Sequence, residues 1–136
     1  MKFLGKLLIV FMIISVLSGC VSTQRYAGPP LPLSKIAVIR SGDDTKIRAI
    51  DSQWTGISQS RYELLPGFHV IRVVPVIIPV VPGTMITTGS LNLSFIAEAG
   101  HEYLVQAVIS PDQTKWGAYI FDERSLKIVS IPYLKG

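Results

Sequence analysis

The clearest period of two in this chain runs over residues 90–97, which read Ser90-Leu91-Asn92-Leu93-Ser94-Phe95-Ile96-Ala97. Successive side chains of a β-strand point to opposite faces of the sheet. One face would carry the apolar Leu91, Leu93, Phe95 and Ala97, and the other would carry Ser90, Asn92 and Ser94. The pattern therefore predicts a strand with one face in a hydrophobic core and the other in water.

The rest of the chain after Lys35 repeats this pattern in short pieces. The pieces are rich in Val, Ile, Tyr and Phe, and turn residues such as Ser41-Gly42-Asp43-Asp44 and Pro111-Asp112 separate them. Strands are predicted over 36–40, 47–51, 62–65, 68–74, 90–97, 103–109, 116–121 and 126–131. Short strands at this spacing are typical of a sandwich or a small barrel. We predict an all-β fold, a small antiparallel β-sandwich of about seven to eight strands.

Length and composition limit the kinds of function. The 136 residues are enough for one domain that folds without disulfides or metal. The formal charge of +4 includes Lys2 and Lys6 near the N-terminus, and the other basic residues are scattered singly. No basic patch marks a nucleic-acid partner. Since Cys20 is the single cysteine, neither a disulfide nor a thiolate metal cluster can form.

The N-terminus has the three parts of a secretory leader. Two lysines lie in residues 1–6, residues 7–16 are almost wholly apolar, and the small residues Ser18 and Gly19 follow. The apolar part is too short to span a bilayer comfortably as a permanent helix. The alternative interpretation is a short buried or membrane helix with an incidental cysteine after it.

The end of this leader reads Leu17-Ser18-Gly19-Cys20, which closely resembles the lipobox of bacterial lipoproteins. The resemblance implies that the thiol of Cys20 receives a diacylglycerol and that the chain is cut before this residue. Two or three fatty-acyl chains such as palmitate make a durable anchor, since one short chain binds a membrane only reversibly. The residue after the lipobox cysteine is Val21 rather than Asp. In lipoproteins of enterobacteria-like systems this implies release for transport to the outer membrane, where the protein would lie on the periplasmic leaflet.

These features divide the chain into three parts. Residues 1–19 are predicted to be a cleaved signal peptide, 20–34 a lipidated, Pro-rich tether, and 35–136 the β-sandwich domain. The tether has no apolar period that could pack, and its prolines favour extended backbone. Packing of Leu31 and Leu33 on the edge of the domain is compatible with a flexible first half.

Residues 64–71 read Leu64-Leu65-Pro66-Gly67-Phe68-His69-Val70-Ile71, and residues 95–103 read Phe95-Ile96-Ala97-Glu98-Ala99-Gly100-His101-Glu102-Tyr103. These two segments resemble parts of PEGA-like and transthyretin-like small envelope modules. The resemblance implies an accessory β-sandwich, usually without catalytic residues. Physically, Pro66 and Gly67 suit a type II turn from which the next strand departs antiparallel. Tyr103 is placed to close one end of the sandwich and to hydrogen-bond backbone, like a tyrosine corner.

Polar residues offer few candidates for chemistry. A metal site would need His69 and His101 to meet a carboxylate, whereas the pattern indicates a half-buried strand histidine and an exposed turn histidine. A hydrolase would need a trio such as Ser58, His101 and Asp122, and no nucleophile elbow presents the serine. The acidic turn residues, Glu98, Glu102, Asp122 and Glu123, are expected to be solvated. We therefore predict neither an enzyme nor a cofactor.

Residues 73–81 are apolar but interrupted by prolines, which exclude a helix and a central strand. The segment is either a buried edge or an exposed loop that touches lipid or a partner. The prolines also prevent edge-to-edge pairing between copies. The residues of the possible contact surface are Val76, Ile77, Ile78 and Val80.

Together these features indicate an anchored module of the cell envelope. We expect a non-catalytic structural, adaptor or binding role, with the membrane as a partner through Cys20 and an envelope protein or peptidoglycan as a further partner. The alternatives are an envelope hydrolase with an unrecognised site and a subunit of a larger envelope complex.

Overall fold

The protein is a β-sandwich in the computed structural model, which describes residues 22–56, 60–76, 89–111 and 115–130. The predicted all-β sandwich is confirmed. The described residues form ten strands, β1 (Thr23–Gln24), β2 (Ala37–Ser41), β3 (Thr45–Ile50), β4 (Gln53–Trp54), β5 (Arg61–Leu64), β6 (Gly67–Pro75), β7 (Leu91–Ala97), β8 (Glu102–Ile109), β9 (Trp116–Asp122) and β10 (Lys127–Ile128). A 3-10 turn, Leu33–Lys35, precedes β2. Within these described residues no helix is long and apolar enough to cross a membrane.

The strands form two sheets, with the orders β1-β5-β2-β8-β9-β10 and β4-β3-β6-β7. The two strands that the sequence pattern did not predict, β1 and β4, have two residues each, too few to show a period. Most pairs are antiparallel as predicted, but β1 with β5 and β2 with β8 are parallel. Parallel neighbours need a crossover, and the chain between β2 and β8 supplies it by passing through the second sheet.

The core lies between the sheets, and β7 shows why. Its residues alternate between buried and exposed from Leu91 to Ala97, as the sequence predicts. Tyr62 and Tyr103 are the largest fully buried side chains among the described residues. The ring of Tyr103 packs edge-on against Phe95, with centroids 5.0 Å apart, so the two sheets are joined through aromatic contacts.

The turn at Pro66 and Gly67 has the predicted positive φ, 129° at the glycine. The next strand runs back in the opposite direction, as predicted, but it does not pair with the strand before it. β5 lies in the six-stranded sheet and β6 in the four-stranded sheet. A turn motif sets local dihedrals, whereas the sheet that a strand joins depends on its distant neighbours.

The sandwich has two ends, which we call the Val76 end and the His101 end. At the Val76 end, the Val76 N–H donates to the carbonyl of Asp44 at 2.8 Å, and the Ser41 N–H donates to Ser60 at 2.9 Å. Thr23 lies beside Tyr62, at the start of β5. The chain therefore enters the domain at the Val76 end. The β7–β8 and β9–β10 turns lie at the opposite, His101 end.

Part of the predicted tether, 20–34, lies on the sandwich. Thr23 and Gln24 form β1, and the Arg25 N–H donates to the carbonyl of Glu63 at 3.0 Å. The Arg25 guanidinium donates to the carbonyls of Gln53 and Trp54, on the facing edge of the other sheet. The structure thus differs from the expectation that this stretch does not pack, because backbone pairing requires no apolar period.

Candidate functional site

The His101 end contains a buried carboxylate. Asp122 is the last residue of β9 and its side chain is only 3% exposed. Its Oδ1 accepts the backbone N–H groups of Arg124 at 3.0 Å and Ser125 at 3.3 Å. The expectation that the acidic turn residues are solvated is wrong for Asp122, because β9 carries it to the inner face and the following turn supplies donors.

His101 meets this carboxylate. Its Nδ1 lies 2.7 Å from Oδ2 of Asp122, and its Nε2 lies 3.3 Å from Oε2 of Glu98. The side chain is 17% exposed, so the expectation of an exposed turn histidine is wrong. The reason is tertiary: the carbonyl of His101 accepts the N–H of Val38 at 3.1 Å, and the ring stacks near Tyr103 at 6.3 Å between centroids.

Burial and hydrogen bonds shift the pKa of Asp122 in opposite directions. Burial alone raises the pKa of its carboxyl, but hydrogen bonds from His101, Ser125 and Arg124 together hold that pKa below its usual value. Asp122 is therefore an anion at neutral pH, and this side of the His101 ring faces a fixed negative charge.

Tyr103 supports the turn between β7 and β8, residues 98–101, which we call the Glu98 turn. Its hydroxyl accepts the backbone N–H of Glu98 at 2.8 Å, which confirms the predicted bond from this tyrosine to backbone. Burial raises the pKa of the Tyr103 hydroxyl, and the charges of Asp122 and Glu98 raise it further, against the opposing effect of the Glu98 hydrogen bond. The tyrosine thus stays neutral and connects the core to the Glu98 turn.

The second histidine, His69, is half-buried on β6, as predicted. Its Nδ1 lies 2.5 Å from Oδ2 of Asp51, and its Nε2 lies 2.6 Å from the carbonyl oxygen of Leu65. The two histidines do not converge on one site, since each has its own carboxylate. Both ring nitrogens of His69 already face a protein acceptor.

One group of described residues could hold a metal ion. One ligand atom each from Glu98, His101 and Asp122 can be chosen so that all lie within 4.8 Å of one another. The structure thus brings together two members of the hydrolase trio considered above, His101 and Asp122. The third, Ser58, lies outside the described residues. The sequence offered no local signal for this pairing, because 21 positions separate the two residues.

The remaining acidic turn residues are partly exposed and paired with arginines. Arg40 contacts Glu123 at 2.8 Å and Glu102 at 3.8 Å, and Arg61 contacts Glu102. These ion pairs cross the outer face of the six-stranded sheet. At such exposure each contributes little stability, and none forms an apolar cleft for acid–base chemistry.

An apolar groove lies along β8, β9 and β10. It has a volume of about 400 Å³, and the residues that line it include Val108, Lys115, Tyr119 and Ile128. Gly117 leaves this space open, since a Cβ there would meet nothing within 4 Å. Its walls are almost wholly apolar, so the groove suits the binding of an apolar group and offers few polar atoms for catalysis.

The free edges of the sheets differ in length. Three edge strands, β1, β4 and β10, have two residues each, while β7 has seven. Within the described part of the chain β7 pairs only with β6, and it contains neither a charged residue nor a proline. It is therefore the one long edge there without the usual protection against strand pairing.

The residues predicted for anchoring and contact lie mostly beyond the described part. Cys20, Ile77, Ile78 and Val80 are outside the described residues. Val76 is described, lies at the Val76 end, and is 38% exposed.

Comparison with known proteins identifies no relative. No family model, curated protein or solved structure matches this chain.

Proposed function

We propose that this protein is a cell-envelope lipoprotein, anchored through acyl chains on Cys20, that acts as a non-catalytic adaptor. It takes up an extended segment of a partner protein beside β7. The lipobox-like run 17–20 supports the anchor, and the likeness to PEGA-like modules supports an accessory role. Val21 after the cysteine favours the periplasmic leaflet of the outer membrane.

The observation that carries the binding role is the open edge of β7. Within the described residues, the backbone N–H and C=O groups of β7 that point away from β6 have no strand beside them. A partner strand would satisfy these groups and extend the sheet. The outer face of β7 offers Asn92, Ser94 and Ile96 to that strand, and Ile96 is 68% exposed beside the 66% exposed Phe68.

The direction of the chain supports the same arrangement. Because β1 begins at the Val76 end, the chain that leads back to Cys20 and its lipid would extend from that end of the domain. The length of β7 then extends away from the membrane, so its edge remains accessible to a partner in the periplasm.

The anchor is tested by metabolic labelling with an alkynyl palmitate analogue in a bacterial host. The wild-type protein is expected to carry the label and to lack residues 1–19, because the thiol of Cys20 is the acylated group. Cys20→Ser should lose both the label and the cleavage. A labelled Cys20→Ser protein, or an unlabelled wild type, would remove the anchor from the proposal.

The binding edge is tested with a photo-crosslinking amino acid at Asn92, in native envelopes. The matched control is Arg72, which faces Asn92 in register but lies one strand further inside, between β3 and β7. Since neighbouring strands are about 4.8 Å apart, a partner beside β7 should crosslink to position 92 much more than to position 72. Equal yields at both positions, or none at either, would contradict strand addition.

A second contact surface is favoured by the position of Val76. The chain enters at the Val76 end, and the apolar run 73–81 continues from there. We propose that Val76, Ile77, Ile78 and Val80 touch lipid beside the anchor. In vesicle binding, Ile77→Asp combined with Ile78→Asp should weaken association of the unacylated protein. Unchanged partition of a folded variant would end this proposal.

A further inference from the structure

The Glu98 turn leaves two electron-rich atoms facing each other. Nε2 of His101 lies 3.3 Å from Oε2 of Glu98, and the Glu98 side chain is 65% exposed to solvent. Two acceptors at this distance repel each other unless a positive charge lies between them. That charge can be a proton on the ring or a metal ion.

The buried carboxylate decides which nitrogen faces outward. Oδ1 of Asp122 is already occupied by two backbone N–H groups, and Oδ2 lies 2.7 Å from Nδ1 of His101. Nδ1 therefore carries a hydrogen and donates it to Asp122. In the neutral ring this leaves the lone pair of Nε2 directed toward Glu98.

We propose that His101 Nε2 and the Glu98 carboxylate form a site for a divalent transition-metal ion of the zinc type. Two ligands in tetrahedral geometry, with bonds of about 2.0–2.2 Å, are separated by roughly 3.3–3.5 Å, which is the separation of the two atoms in this turn. An imidazole with a carboxylate suits such ions. Water would complete the coordination.

Asp122 is a positioning residue in this site. A metal-binding histidine commonly donates its other ring N–H to a carboxylate, which fixes the tautomer and raises the basicity of the ligand. The buried Asp122 holds His101 in this way from the β9–β10 turn. Arg124 also lies at this turn, with its guanidinium 3.5 Å from the carbonyl of Gly100. The ion itself would be held by the β7–β8 turn alone, at the end of the sandwich away from the chain entry.

The test is calorimetric titration of Zn²⁺ into the full chain carrying Cys20→Ser, purified in detergent, so that no thiolate competes. One ion should bind per chain. His101→Ala and Glu98→Gln should each lower the affinity at least tenfold, and Asp122→Asn about tenfold to a hundredfold. The ¹⁵N resonance of His101 Nε2 should shift on addition of Zn²⁺.

The matched control is His69→Ala, since His69 also pairs with an aspartate but has both ring nitrogens occupied. This variant should bind Zn²⁺ as the parent does. The proposal is overturned if no saturable binding occurs, if His69→Ala weakens binding as much as His101→Ala does, or if the Nε2 resonance of His101 does not move.

Discussion

Two histidine–aspartate pairs lie on this sandwich, and they differ in the burial of the acid. The Asp122 side chain, paired with His101, is 3% exposed, while the Asp51 side chain, paired with His69, is 48% exposed. Both contacts are short, 2.7 and 2.5 Å. Their surroundings separate them: Asp122 sits where a core strand enters a turn, and Asp51 sits in an exposed turn after β3.

The geometry of an ion pair alone therefore does not set how much the pair contributes to stability. An exposed pair is screened by water and contributes little. A buried carboxylate must keep its donors, because loss of one leaves an uncompensated charge. His101 also retains a ring nitrogen that faces a second carboxylate, whereas His69 does not. Substitutions in the His101–Asp122 pair are therefore expected to destabilise the protein more than substitutions in the His69–Asp51 pair.

The largest expected effect comes from removing the aromatic support of the His101 pair. Tyr103→Ala should lower the free energy of unfolding by about 3–5 kcal/mol, since it empties a large core volume. Tyr103→Phe should cost about 1–3 kcal/mol, because the Glu98 N–H loses its acceptor. Urea unfolding followed by circular dichroism measures both. An unchanged unfolding midpoint for Tyr103→Ala would contradict the role of this ring.

The comparison itself is tested by the two matched aspartate substitutions. Asp122→Asn should lower the free energy of unfolding by about 1.5–3 kcal/mol, since a buried charged acceptor is lost. Asp51→Asn should cost less than about 1 kcal/mol. Both values come from urea unfolding at neutral pH with a chelator present. Similar costs for the two variants would show that burial does not separate the pairs.

The smallest expected effect is the change in the stability contribution of Asp122 as the pH is lowered. The pKa of Asp122 is lowered in the fold, so its contribution is fully present above the unfolded pKa of about 3.9. The contribution is lost as pH falls through the lower, folded pKa. The stability difference between wild type and Asp122→Asn should therefore stay constant from pH 7 to 5 and shrink only in strong acid. A difference that vanishes near pH 6 would contradict the lowered pKa.

Strand positions could be predicted from the sequence wherever a period of two was long enough. The segment containing Leu91, Leu93 and Phe95 is the clearest case. The pattern could not reveal β1 or β4, which are too short, nor the parallel pairing of β2 with β8. Only part of the candidate site could be predicted from the sequence. The hydrogen bond from Tyr103 to backbone was predicted, whereas His101 and Asp122 were expected to be exposed.

The β class, the inward face of β7 and the resemblance that predicts lipid on Cys20 all follow from the amino-acid sequence alone. These depend on local alternation or on a short contiguous motif. Within the described residues, the place of β7 as a long edge strand and the contact of His101 with Asp122 beside Glu98 follow from the tertiary structure. Such features depend on which strands become neighbours, and this follows from long-range packing of two sheets rather than from any single segment.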